Sequence, residues 1–180
     1  MKHRPKPACL GNGSLDRGLL NWIADKGCVY FITVKGPISY PRGQSSIVKI
    51  GQSKQTGWRV FESLREVLID QEKKLKWKRN IGNAWAIHVV HVPELGHSRI
   101  LESAFIYAFW TLYAAVPPFN TQGKHFTERE VEAVRKRWGM TLDWLRDVLK
   151  SIGTPNPAAE VRKEVRIPAD SATAGGGERV

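Results

Sequence analysis

The chain has 180 residues, one domain's worth by ordinary domain sizes. With 42% hydrophobic and 25% charged residues it can bury a core without staples, and Cys9 and Cys28 alone make neither a disulfide framework nor a four-ligand zinc site. Lys plus Arg is 28 against 17 Asp plus Glu, so the formal net charge is +11 and the pI about 9.9, which points to nucleic acid as a partner.

The opening MKHRPKPACLGNG has basic residues but no apolar segment behind them, so no secretory signal is expected. The apolar stretch 103–119 is interrupted by Pro117-Pro118 and falls short of the roughly 20 residues of a membrane span. A cytoplasmic protein with no membrane partner is the expectation.

In chain order, residues 1–13 are rich in Pro, Gly and basic side chains and are expected to be loose. Leu15, Leu19, Leu20, Trp22 and Ile23 recur at helical spacing, and Gly27 ends that pattern. Residues 28–34, CVYFITV, are β-branched and aromatic and predict a strand. Residues 35–45, KGPISYPRGQS, predict a loop, and 46–51, SIVKIG, a second strand close enough to pair antiparallel with the first. Thr56 is a candidate N-cap for a helix to about Asp70, with an apolar stripe of Val60, Phe61, Leu64, Val67 and Leu68. Arg59 lies off that stripe, beside Glu62 and Ser63.

Residues 84–92, AWAIHVVHV, predict the third strand, with His88 and His91 on opposite faces. Ser98 is expected to cap a helix from Arg99 to about Ala115 that Pro117-Pro118 end. Thr127 and Glu130 form a capping box for a further helix, Gly139 interrupts it, and Thr141 caps another to about Ser151. From Gly153 onward Pro, Gly, Ala and charge predict disorder. The expected class is α/β of the α+β kind. An N-terminal extension with a short helix (1–26) precedes the main domain (27–126), and a helical appendix (127–152) and a tail (153–180) follow.

The excess charge sits mainly in the first half. Between Lys26 and Phe61 lie Lys35, Arg42, Lys49, Lys54 and Arg59 with no acid, and Lys73, Lys74, Lys76, Lys78 and Arg79 surround Trp77 in KKLKWKR. Lys54, that run and Lys124 are candidate contacts to a DNA backbone. Glu102 opens an apolar helix and shares a face with Phe105, Ile106 and Phe109. An ionised carboxylate there is costly unless it is paired, holds a cation, or keeps its tip in water at the first turn of the helix.

These residues occur in an ordered series: Val29-Tyr30 on the first strand, Lys49-Ile50-Gly51 on the second, Arg59 on the next helix, Glu102 on the apolar helix, and Pro118-Phe119-Asn120 beyond it. The series resembles the GIY-YIG nuclease superfamily of homing, repair and restriction endonucleases over about residues 27–126. The resemblance implies a small three-stranded antiparallel sheet flanked by helices, and hydrolysis of DNA phosphodiesters with Mg²⁺ or Mn²⁺. It implies Tyr30 beside the attacking water, Arg59 on the scissile phosphate, Glu102 as the metal ligand and Asn120 supporting the site. Chemistry agrees with these types: Arg is a permanently charged fork, and one carboxylate plus waters and phosphate suits Mg²⁺. Tyrosine needs neighbouring positive charge to act as a base, which Lys49 would supply if pairing set it beside Tyr30.

Three positions depart from the family pattern. Cys28 replaces a glycine, Lys49 replaces the second motif's tyrosine, as in some restriction endonucleases, and Ser63 stands where homing-type members have histidine. They point to a restriction-like or phage-type branch and leave the general base open between Tyr30 and Lys49. Cutting both strands of a duplex calls for two active sites, hence a homodimer. The alternative is a DNA-binding module of the same fold that has lost cleavage.

Overall fold

The structure is a computed structural model that describes residues 8–12, 27–54, 57–75, 85–92, 94, 96–120 and 126–154, the backbone alone at 8–12, 57–58 and 70–75. The strands are β1 (Ala8–Asn12), β2 (Cys28–Tyr40), β3 (Gly43–Ser53) and β4 (Trp85–His91). The helices are α1 (Gly57–Leu75), α2 (Ser98–Tyr113), α3 (Glu128–Trp138) and α4 (Leu142–Gly153). The fold is the expected mixed α+β class, with β4, β2 and β3 antiparallel neighbours.

Two segments expected to lack regular structure are strands. Residues 8–12 are not loose but add a fourth strand on the outer side of β4, giving the order β1-β4-β2-β3. Their ladder is broken between Cys9 and Gly11, which blurs the period-2 pattern that would have marked them. Residues 35–45 are not a free loop either: β2 and β3 continue as a hairpin that closes at Tyr40 and Gly43. Pro37 falls where the register is interrupted between Thr33 and Ile38, beside Gly36 at φ 96°, so a residue without an N–H costs the ladder nothing there. The helix predicted over 14–25, its Gly27 boundary apart, and the Thr56 cap lie outside the described residues.

The sheet buries both faces. Ile32, Val34, Val48, Ile87 and Val89 meet Val60, Leu64 and Val67 of α1. On the other face Phe31, Ile47 and Val90 meet α2, α3 and α4, with Phe31 edge-on to Phe105 at 5.0 Å. His88 opposes Phe31 and His91 opposes Cys28, so the two histidines face opposite ways, as predicted. The α3 capping box forms, with Gly139 as its left-handed C-cap at φ 71°, and Thr141 caps α4. Val131, Val134, Leu145 and Leu149 share one buried cluster with α2, so the boundary drawn at residue 127 runs through the core.

Ser98 does not cap α2. His97 is the N-cap and makes no side-chain cap bond; Ser98 is one residue further on, already inside the helix, and its hydroxyl donates to Gln52. The helix ends at Ala114, held left-handed at φ 53°, ahead of the two prolines.

Candidate active site

Register decides what stands at the sheet edge. Tyr30 pairs with Gly51, Phe31 with Ile50 and Ile32 with Lys49, but Thr33 pairs with Ile47. Val48 is therefore an extra residue, a β-bulge, and it joins Lys49 on the α1 face while Ile47 returns to the α2 face. Lys49 lies on the same face as Tyr30 because it stands two residues from Gly51, the cross-strand partner of Tyr30.

A cavity of about 250 Å³ lies along the outer edge of β3. Tyr30, Lys49, Arg59, Glu102 and Asn120 all line it, with Gly51, Gln52, Glu62, Ser63 and Glu66. They come from both faces of the sheet: Tyr30, Lys49 and the α1 residues from one, Gln52 and Glu102 from the other. An edge strand permits this, because a neighbouring strand would close the gap.

Tyr30 is 2% exposed, and its hydroxyl lies 2.5 Å from Ser63 Oγ. Its ring lies across Gly51 so closely that a Cβ there would stand 2.3 Å from the phenol oxygen. Only glycine fits that contact. Burial pushes the Tyr30 pKa up to about 12; the Ser63 hydrogen bond and Arg59 oppose the rise, and the Glu102 charge adds to it. Lys49 does not supply the activating charge expected of it, because its ammonium is ion-paired with Glu66 on α1.

Arg59 is exposed and, among the described residues, forms no ion pair, so its fork is available to an anion. Glu102 is 3% exposed at the cavity wall and lies beyond the first turn of α2, which begins at Ser98, so it is not the first-turn carboxylate expected. Asn120 latches the segment after α2 to the free edge of β3. Its Nδ2 donates to Ile50 O at 2.7 Å, its Oδ1 accepts from Ile50 N at 2.9 Å, and Phe119 N donates to Val48 O at 3.0 Å. Asn120 therefore shapes the site through the backbone.

Ser63, Glu62 and Glu66 were not singled out as site residues in the sequence, although with Arg59 they fall at i, i+3, i+4 and i+7 on one helix face. No local signal marks Gln52. Lys54 is exposed just beyond β3. Lys73 and Lys74 fall on the last turns of α1, where only the backbone is described, and Lys76, Lys78, Arg79 and Lys124 lie outside the described residues, as does His125. His97 is not in the cavity lining; it lies 3.8 Å from Glu94 and edge-on to Trp138. Tyr113 packs in the core, whereas Trp110 is 47% exposed.

The donor set suits a hard cation. Glu102 is a buried carboxylate at the wall of a polar cavity, Asn120 is already committed to backbone, and no cluster of three or more His, Cys, Asp or Glu ligands occurs among the described residues. Such a site leaves most coordination positions to water and substrate oxygens, which fits Mg²⁺ or Mn²⁺ better than a structural zinc. The Cys28 thiol, pushed up to about 12 by burial, is a poor ligand. No helix among the described residues is long and apolar enough to cross a membrane. No family model, curated protein or solved structure matches the chain.

Proposed function

We propose that this protein is a metal-dependent endonuclease that hydrolyses phosphodiester bonds of double-stranded DNA, of the restriction-like kind within the GIY-YIG resemblance. The observation that carries the reading is the convergence of Tyr30, Lys49, Arg59, Glu102 and Asn120, spread over 91 positions of chain, on one cavity. The net charge of +11 supports a polyanionic substrate.

In this reading Arg59 binds the non-bridging oxygens of the scissile phosphate from the α1 side. Tyr30, with its pKa near 12, stays protonated at neutral pH and orients the attacking water through its hydroxyl, which Ser63 fixes. Lys49, ion-paired with Glu66, stands at the cavity wall with its charge balanced by that carboxylate. Glu102 is the residue that would hold Mg²⁺ or Mn²⁺, whose chemistry when bound is Lewis-acid stabilisation of the leaving oxygen. Asn120 keeps β3 in register for all of them. Lys54, Lys73, Lys74, Lys76, Lys78, Arg79 and Lys124 are proposed backbone contacts, and a cytoplasmic homodimer would deliver two cuts.

Supercoiled plasmid incubated with the protein in Mg²⁺ or in EDTA tests the reading: cutting is expected only with the metal. Glu102→Gln is expected to abolish cutting and leave duplex binding nearly intact. A second reading, a DNA binder without cleavage, is favoured by the protonated Tyr30 and the Lys49–Glu66 pair. Salt-sensitive duplex binding with no metal-dependent cutting across varied substrates would establish it.

A further inference from the structure

Gln52 follows Gly51 but faces the other side of the sheet, since its cross-strand partner is Val29. There its Oε1 accepts a 2.7 Å hydrogen bond from Ser98 Oγ. Ser98 is fully buried in the first turn of α2, four residues before Glu102, so the two stand one above the other on a helix face. An amide whose oxygen is held by a hydroxyl turns its nitrogen away from that hydroxyl. Gln52 lines the cavity, and among the described residues no hydrogen-bond partner takes its Nε2 donors.

We propose that Gln52 is a substrate-contacting residue whose Nε2, with Oε1 anchored by Ser98, donates into the cavity to a non-bridging oxygen of the phosphodiester. The inference rests on the nuclease reading above. It places a second donor on the Glu102 side of the phosphate, across from Arg59 on the α1 side. A neutral donor is the chemistry that position needs. Glu62, Glu66 and Glu102 all line the cavity, so a bound phosphate requires donors near them. A lysine or arginine beside Glu102 would compete with a cation for that carboxylate, whereas an amide N–H bonds the phosphate without adding a competing charge.

Two substitutions separate this contact from a structural strut. Gln52→Glu keeps an oxygen for Ser98 and removes both N–H donors; Ser98→Ala removes the anchor and keeps the donors. Plasmid cleavage in Mg²⁺, duplex binding by fluorescence anisotropy in Ca²⁺, and melting temperature are measured for both. Q52E is expected to weaken binding and cleavage about tenfold or more with its melting temperature unmoved, the loss typical of a hydrogen bond to a charged group. S98A is expected to melt earlier while holding cleavage within a few-fold. Gln52→Met, which has neither donor nor added charge, should lose binding and cleavage as Q52E does, while melting earlier like S98A because it also lacks the oxygen that Ser98 bonds. Q52E and Q52M that bind and cut like the wild type, beside an impaired S98A, would reduce Gln52 to a strut while the nuclease reading stands. A wild type that binds without cutting leaves the anisotropy comparison to decide, and one that neither binds nor cuts removes the reading and the inference together.

Discussion

Gly51 is opposite Tyr30 on the neighbouring strand, and the phenol occupies the space a side chain at 51 would need. Gly51→Ala must therefore push the ring, or β3, aside. The expected cost is about 1–3 kcal/mol, as for overpacking a tight core, read as an earlier thermal midpoint, with cleavage falling further because Tyr30 moves off Ser63. His88 carries a pH effect of its own. Burial holds its pKa below the usual imidazole range, so the unfolded chain binds the proton more readily. The stability it contributes is full above the unfolded pKa and is lost as pH falls through the folded one. The urea midpoint should drop on acidification below about pH 6.5, and His88→Gln should flatten that dependence. Short motifs in the sequence marked Tyr30, Arg59, Glu102 and Asn120. The sequence marks Ser63 only as a departure from the family's histidine, and Glu66 and Gln52 not at all, because what defines the three is a partner 33, 17 or 46 positions away.

Strands and helices show where local rules govern and where they yield. The capping box at Thr127 and the Thr141 cap are short-range devices that form as their sequences predict. Ser98 has the right residue type for a cap but falls one residue inside the helix, where its hydroxyl serves a longer-range partner instead. At the hairpin, Gly and Pro read as loop, yet a register break at Pro37 lets the strands continue past them. Along β3 the latch by Asn120 satisfies both backbone groups of Ile50 on an edge that has no neighbouring strand among the described residues. Asn120→Ala is expected to lower stability by about 2 kcal/mol, since two buried polar groups lose their partners together. Denaturant titration should show this loss, and hydrogen exchange should show faster opening at Ile50 than on β2. Thr127→Ala, by contrast, should cost about 1 kcal/mol and leave cleavage unchanged.

Both faces of one sheet are covered, and α3 and α4 form part of that cover rather than a separable appendix. A chain ending at residue 126 would expose Leu101, Phe105 and Phe109 where Val134, Leu145 and Leu149 had packed. It is expected to lack a cooperative melting transition by circular dichroism, whereas a chain ending at residue 154 should melt cooperatively. Periodicity, caps and β-branched runs reveal the strands β2 and β4 and the helices in the sequence, because those signals are sterics and burial acting over a few residues, whereas the candidate chemistry rests on the resemblance of an ordered motif series. The fourth strand, the long hairpin and the joining of side chains from opposite sheet faces at one edge emerge only on folding. They depend on which strands pair and in what register, and those partners are too far apart in the chain for any local pattern to specify.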